Sequence, residues 1–161
     1  MFPQLNAPRI DIDFLRNFSL DKTSGYNDWK AYQQSKLGDI LLAKEFQKRY
    51  RMETASCHPG VIQTELGRHL TLWDHLKIIS TKIPSLIAEE GWKPFKTLEQ
   101  GAATTLTAAT LPSNKLKNGG YYRDCVLAEE AESAKNMDDA KALFDYCNEV
   151  TKPFFVELRF I

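Results

Sequence analysis

AYQQSKLGDILLAKEFQKRYRMETASCHPG, residues 31–60, joins a helical pattern to a short strand pattern and stops at a Pro-Gly turn. The pattern predicts a helix from about Trp29 to Tyr50. Asn27 or Asp28 can cap it by accepting from amides that otherwise lack partners. Ile40, Leu41, Ala43 and Phe46 mark part of its buried side. Lys44, Lys48 and Arg49 lie towards its C-terminal end, where the helix dipole favours cations. A strand is expected at Met52–Cys57, ending at His58-Pro59-Gly60.

Outward from this run, residues 1–27 read as an irregular lead-in, punctuated by Pro3, Pro8 and the turn-like SGYND at 24–28. Downstream, Leu72, Leu76, Ile79, Ile83 and Ile87 recur at helical spacing over 69–89, with Pro84 set to kink or split that helix. GWKP (91–94) is a break. An alanine-rich helix is expected from about Leu98 to Thr110, and Pro112 and Asn118-Gly119-Gly120 close that unit. Tyr121–Val126 reads as a second strand and 131–149 as a last helix. Residues 151–161 form an expected extended tail. Its KPFFVELRFI alternation suits a strand docking on an edge, and equally an aggregation-prone end. Helix and strand in alternation give an α/β class with a parallel sheet. Two evident strands are too few for a complete sheet of that kind, so residues 1–161 read as a single partial domain.

Composition excludes several classes. The 161 residues are 43% apolar and carry 21 basic and 21 acidic side chains, so no general charge excess favours nucleic acid or an anionic membrane surface. Cys57, Cys125 and Cys147 are odd in number and lack CxxC spacing, which argues for reduced thiols over disulfides or structural zinc. His58, His69 and His75 form no metalloprotease pattern, so no metal site is expected. No apolar run reaches the ~18 residues that suggest a membrane span, and MFPQLNAPRIDID lacks the basic-then-apolar order of a signal peptide.

Within the opening run, Tyr32 and Lys36 stand four apart, on one face of the expected helix. An ammonium near a phenol stabilises the phenolate, which makes the tyrosine a workable acid or base towards an alcohol or carbonyl oxygen. Spacing alone does not single out this pair, because Tyr26 and Lys30 repeat it. The company does. YQQSKLGDILLAKEFQKRY, SCHPGVIQTEL, EQGAATTLTAAT and GGYYRDC follow in one order with consistent intervals. Together they resemble the C-terminal half of the short-chain dehydrogenase/reductase family, nearest its retinol dehydrogenase-like and WW-domain-oxidoreductase-like members, over about residues 9–148.

The resemblance selects Tyr32, which has Ser35 before its lysine, and implies that it is the acid/base residue. Lys36 would lower the tyrosine pKa and hold the nicotinamide ribose. Pro59, Gly60 and Val61 would lie along the nicotinamide, and Thr64 would contact its carboxamide or the pyrophosphate. The implied fold is a partial Rossmann-type doubly wound parallel sheet, with helices flanking few strands. The implied cofactor is NAD or NADP, and the implied substrate is a hydrophobic alcohol, aldehyde or ketone. The glycines at 25, 38, 60, 67, 91, 101, 119 and 120 form no GxG or GxxxGxG turn. The family's catalytic serine also has no counterpart, since Ser19 and Ser24 sit in loop-like sequence. The chain alone is therefore expected neither to hold NAD(P) tightly nor to turn over. Segment 69–90 takes the family's substrate-lid position, and its apolar side suits a substrate pocket, a membrane surface or its own core. The Met52–Cys57 strand would expose an unpaired edge. The rival reading is a non-catalytic interaction protein that uses this edge and its apolar helices. A homo-oligomer and association with a full-length relative are both open as partner modes. The location expected is cytoplasmic, or membrane-associated where an N-terminal anchor precedes Met1.

Overall fold

In the computed structural model, residues 9–17, 27–62 and 96–154 are described. The expected helix at 69–89, Thr64, Ser19, Ser24 and residues 155–161 lie outside the described residues. Helix α1 (Ile12–Arg16) is a single turn capped by Asp11, whose carboxylate accepts from the Phe14 amide at 2.9 Å. It falls inside the stretch that reads as irregular, because five residues are too short to show a period. Helix α2 (Asp28–Tyr50) starts at Asn27, whose side chain accepts from the Lys30 amide at 2.9 Å. It ends where Arg51 turns left-handed, with φ 57°.

The buried positions of α2 are Gln34, Leu37, Gly38, Leu41 and Glu45, one stripe at helical spacing. This stripe is rotated from the expected one: Leu41 is shared, whereas Phe46 is exposed and meets Phe144 edge-on at 5.4 Å. Residues 51–54 turn the chain, and strand β1 (Ala55–His58) packs back along α2. The Thr54 hydroxyl donates to the Ala43 carbonyl at 2.8 Å and fixes that return.

Strand β1 begins three residues later than the pattern predicts. Helix α3 (Leu98–Thr110) has the expected bounds, because its start is written locally: Thr97 and Gln100 close a capping box. It lies in the connection from β1 to strand β2 (Gly120–Arg123), and the two strands pair in parallel from Ala55 opposite Gly120 to His58 opposite Arg123. The expected strand Tyr121–Val126 is instead broken. Asp124 and Cys125 both take positive φ, 52° and 64°, and form a two-residue turn into strand β3 (Val126–Ala128), antiparallel to β2. Two left-handed residues match the natural twist of a hairpin. The sheet is therefore mixed, in the order β1-β2-β3, and the protein is an α/β fold consistent with part of a Rossmann-type sheet.

The last helix splits into a 3-10 turn at Glu132–Lys135 and α4 (Met137–Thr151), capped by Asn136. Lys152–Phe154 continue as a second 3-10 turn and are not extended as the sequence pattern predicts. Lys152 keeps helical angles, and the fixed φ of Pro153 suits a helical turn. The core lies between α2 and α4: Ile10, Leu37, Leu41, Ala134, Ala140 and Leu143 form one cluster. Helix approach is close there, since a Cβ on Gly38 would sit 3.3 Å from Leu143.

The N-terminal described segment is held to α4 by buried Asp139. Its carboxylate accepts from Arg9 at 2.6 Å and from the Ile10 amide at 3.3 Å. Gln34 clamps the same segment, donating to the Arg9 carbonyl at 3.0 Å and accepting from the Asp11 amide at 2.8 Å. Hydrogen bonds to a charged group contribute roughly 1.5–3 kcal/mol. Asp139→Ala should therefore lower unfolding free energy by about 2 kcal/mol and speed hydrogen exchange at Ile10. Urea unfolding and amide exchange check both.

Candidate active site

Tyr32 and Lys36 sit in the first half of α2, roughly 160–200° around the helix from its buried stripe. Packing that stripe into the core turns both side chains outward. Tyr32 is 46% exposed, and among the described residues nothing bonds its hydroxyl. Lys36 reaches Asp39, one turn on, at 3.0 Å. Ser35 donates to the Tyr32 carbonyl at 2.8 Å, so its hydroxyl serves its own helix backbone. Among the described residues, no hydrogen bond joins Tyr32 to Lys36, and none joins either to Pro59, Gly60 or Val61.

β1 returns along α2, so its carboxyl end lies towards the helix half that carries Tyr32 and Lys36. Open α/β sheets bind ligands at such strand ends. There His58 Nδ1 accepts from the Gly60 amide at 3.0 Å, and this bond folds the HPG turn. Gly60 has φ 83°, a conformation that side chains disfavour. The space a Cβ would take is filled by Lys96, whose Cδ and Cε would lie 2.7 Å away. Lys96 is tied to the same turn by its backbone, donating to the Val61 carbonyl at 2.7 Å.

The Lys96 ammonium pairs with Asp124 at the end of β2. Arg123 Nε lies 3.5 Å from the other oxygen of that carboxylate. Cys125 holds the hairpin turn in place, its amide donating to buried Thr104 at 3.2 Å. Lys96 and Asp124 are 28 positions apart, and no spacing rule connects them; GGYYRDC contains one partner without indicating the other. Cys57 is half-buried within β1, and burial pushes its thiol up, away from nucleophile chemistry. Among the described residues, no cluster of His, Cys, Asp and Glu could hold a metal ion. No helix among them is long and apolar enough to cross a membrane.

Retinol dehydrogenase 14 of Homo sapiens is 30% identical over 138 residues, 84% of this chain and 38% of its own length. Retinol dehydrogenase 11 of Homo sapiens is 32% identical over 127 residues, covering 74% of this chain and 35% of that protein. The chloroplastic short-chain dehydrogenase TIC 32 A of Brassica napus is 32% identical over 126 residues, covering 75% and 36% respectively. The chain thus spans little more than a third of the length of the curated relatives it matches. No family model matches it.

Lys96 holds the Asp124 carboxyl below the usual carboxylate range, with Arg123 and His58 adding to the effect. A lowered folded pKa contributes stability above the unfolded value, near ~4, and that contribution is lost as pH falls through the folded value. The pair is partly exposed, so Asp124→Asn should cost up to about 1 kcal/mol at pH 7. The difference should shrink as pH falls through the folded value, because protonation removes the charge that Lys96 stabilises. Urea unfolding of both proteins over a series of pH values from 7 downwards checks this.

Proposed function

We propose, for a chain that belongs to the short-chain dehydrogenase/reductase family over the part of it that these residues span, that Tyr32 and Lys36 are the acid/base pair of an NAD(P)-dependent oxidoreductase. The substrate class is a hydrophobic alcohol, aldehyde or ketone. The observation that carries the reading is the outward face of α2. A tyrosine whose hydroxyl has no bond among the described residues and a lysine one turn away share it, on the helix that precedes β1 and the HPG turn. The relation to retinol dehydrogenases supports the substrate class.

The described residues fit the nicotinamide end of the cofactor. Gly60 leaves bare backbone for a flat ring, though the Lys96 stem must swing aside. The sequence holds no Gly-rich turn for the phosphates. When bound, the cofactor supplies or takes the hydride at the reacting carbon. In reduction, Tyr32 gives its hydroxyl proton to the substrate oxygen as that oxygen gains charge, and in oxidation its phenolate takes the proton back. Lys36 stabilises the phenolate once it leaves Asp39, and its remaining donors suit ribose hydroxyls. Thr64, which lies outside the described residues, would take the carboxamide or pyrophosphate contact in this reading.

A second reading has its own observation. Among the described residues, β1 is paired on one edge only, with β2. A truncated product could bind a partner there and carry no activity. The two readings separate on turnover. The 161-residue chain alone should show no NADPH oxidation with hydrophobic aldehydes. The natural protein carrying these residues should turn over, and Tyr32→Phe should reduce its kcat roughly 100- to 10,000-fold. Natural protein that never turns over favours the interaction reading, and a Tyr32→Phe variant of unchanged rate overturns the assignment of Tyr32 as the acid/base residue.

A further inference from the structure

We propose that the carboxyl ends of β1 and β2 form a small oxyanion-binding site, and that the chain's own Asp124 carboxylate occupies it when no ligand is present. Two elements bring cations to one place, Lys96 from the lead-in to α3 and Arg123 from the end of β2, and the His58 imidazole at the end of β1 lies beside them with its Nδ1 taken by the Gly60 amide. Lys96 pairs with Asp124, and Arg123 lies 3.5 Å from the same carboxylate. His58 is opposite Arg123 in the strand register and shares in the field at Asp124.

The geometry is that of a carboxylate receptor already filled. Asp124 is delivered on a left-handed turn, at φ 52°, with Cys125 anchored behind it on Thr104. The carboxylate is half-exposed, at 48%, so it can turn out to solvent without breaking a buried contact. The Lys96 backbone is bonded to Val61 and its stem lies against Gly60, which holds the ammonium at the turn in the absence of a ligand. An incoming carboxylate or phosphate would replace Asp124 on the lysine and leave the turn in place. Ammonium and guanidinium groups bind either anion by charge-assisted hydrogen bonds. The site takes a ligand bearing one such group, and Asp124 sets its affinity by competing for it.

The site needs neither Tyr32, Lys36 nor turnover, so it can fail while the dehydrogenase reading stands, and the reverse. The test is titration of the full 161-residue chain with inorganic phosphate and, separately, acetate, followed by amide NMR. In the wild-type chain, the Gly60, Lys96 and Asp124 amides should shift first. In Asp124→Asn, the phosphate dissociation constant should fall at least tenfold. Adding Lys96→Met to that variant should remove the gain. A shift by phosphate alone assigns the site to phosphate-bearing ligands, and a shift by both assigns it to oxyanions generally. Shifts spread evenly over exposed lysines, no gain in Asp124→Asn, or a gain that survives Lys96→Met would overturn the proposal. If Asp124→Asn does not fold, the wild-type titration decides between the same outcomes. Shifts at Gly60, Lys96 and Asp124 that single Lys96→Met abolishes support the site, and shifts that survive it overturn it.

Discussion

Close packing of α2 on α4 is the constraint that sets the layout of the molecule. Leu37, Gly38 and Leu41 meet Leu143, and Gly38 is small enough to let the two helices approach. That contact fixes the rotation of α2 about its own axis. A helix has one set of neighbours at i+3 and i+4, so burying this stripe leaves Tyr32 and Lys36 together on the other side. The polar partners at the edges of the stripe reinforce the same rotation. Gln34 clamps the 9–11 backbone, and buried Glu45 holds Arg49 at 2.6 Å, whose guanidinium also lies 4.2 Å from the Phe144 ring centre.

The second half of the site depends on the first through the chain's return. Residues 51–54 connect α2 to β1, and the Thr54 hydroxyl ties that connection back to Ala43. The strand then carries His58 and Gly60 towards the Tyr32 half of the helix. The parallel pairing of β1 with β2 brings Arg123 level with His58, and the hairpin turn places Asp124 under Lys96. Charge at this strand end is thus assembled from three separate stretches of sequence by strand register.

Features governed by neighbours in sequence are legible in the residues. The bounds of α3 follow from a capping box at Thr97 and Gln100, and the start of α2 from Asn27. That Tyr32 and Lys36 share one face of α2 follows from helical period. Features governed by distant contacts are not legible. The break in Tyr121–Val126 rests on Asp124 and Cys125 at positive φ, held by Lys96 and Thr104, without the Asn-Gly or Asp-Gly signal of such turns. Helix α1 is a single turn, and its segment is docked by Asp139, 130 positions from Arg9 in sequence. The α2 stripe turns away from the pattern at Phe46, because apolar identity alone does not say which side meets α4. The ion pair of Lys36 with Asp39 lies between these cases: its i,i+3 spacing is a local signal, but the same lysine also suits Tyr32, and sequence does not rank the two partners.

A double-mutant cycle on the natural protein, with Tyr32→Phe, Lys36→Met and the pair compared by kcat, bears most closely on whether the lysine acts through the tyrosine. Residues that act as one unit lose no more together than the worse of the two alone. The double variant should therefore fall to the rate of the slower single variant. Losses that multiply, or full activity in Lys36→Met, would show that the lysine does not act through the tyrosine and that the shared outward face of α2 is not the acid/base unit.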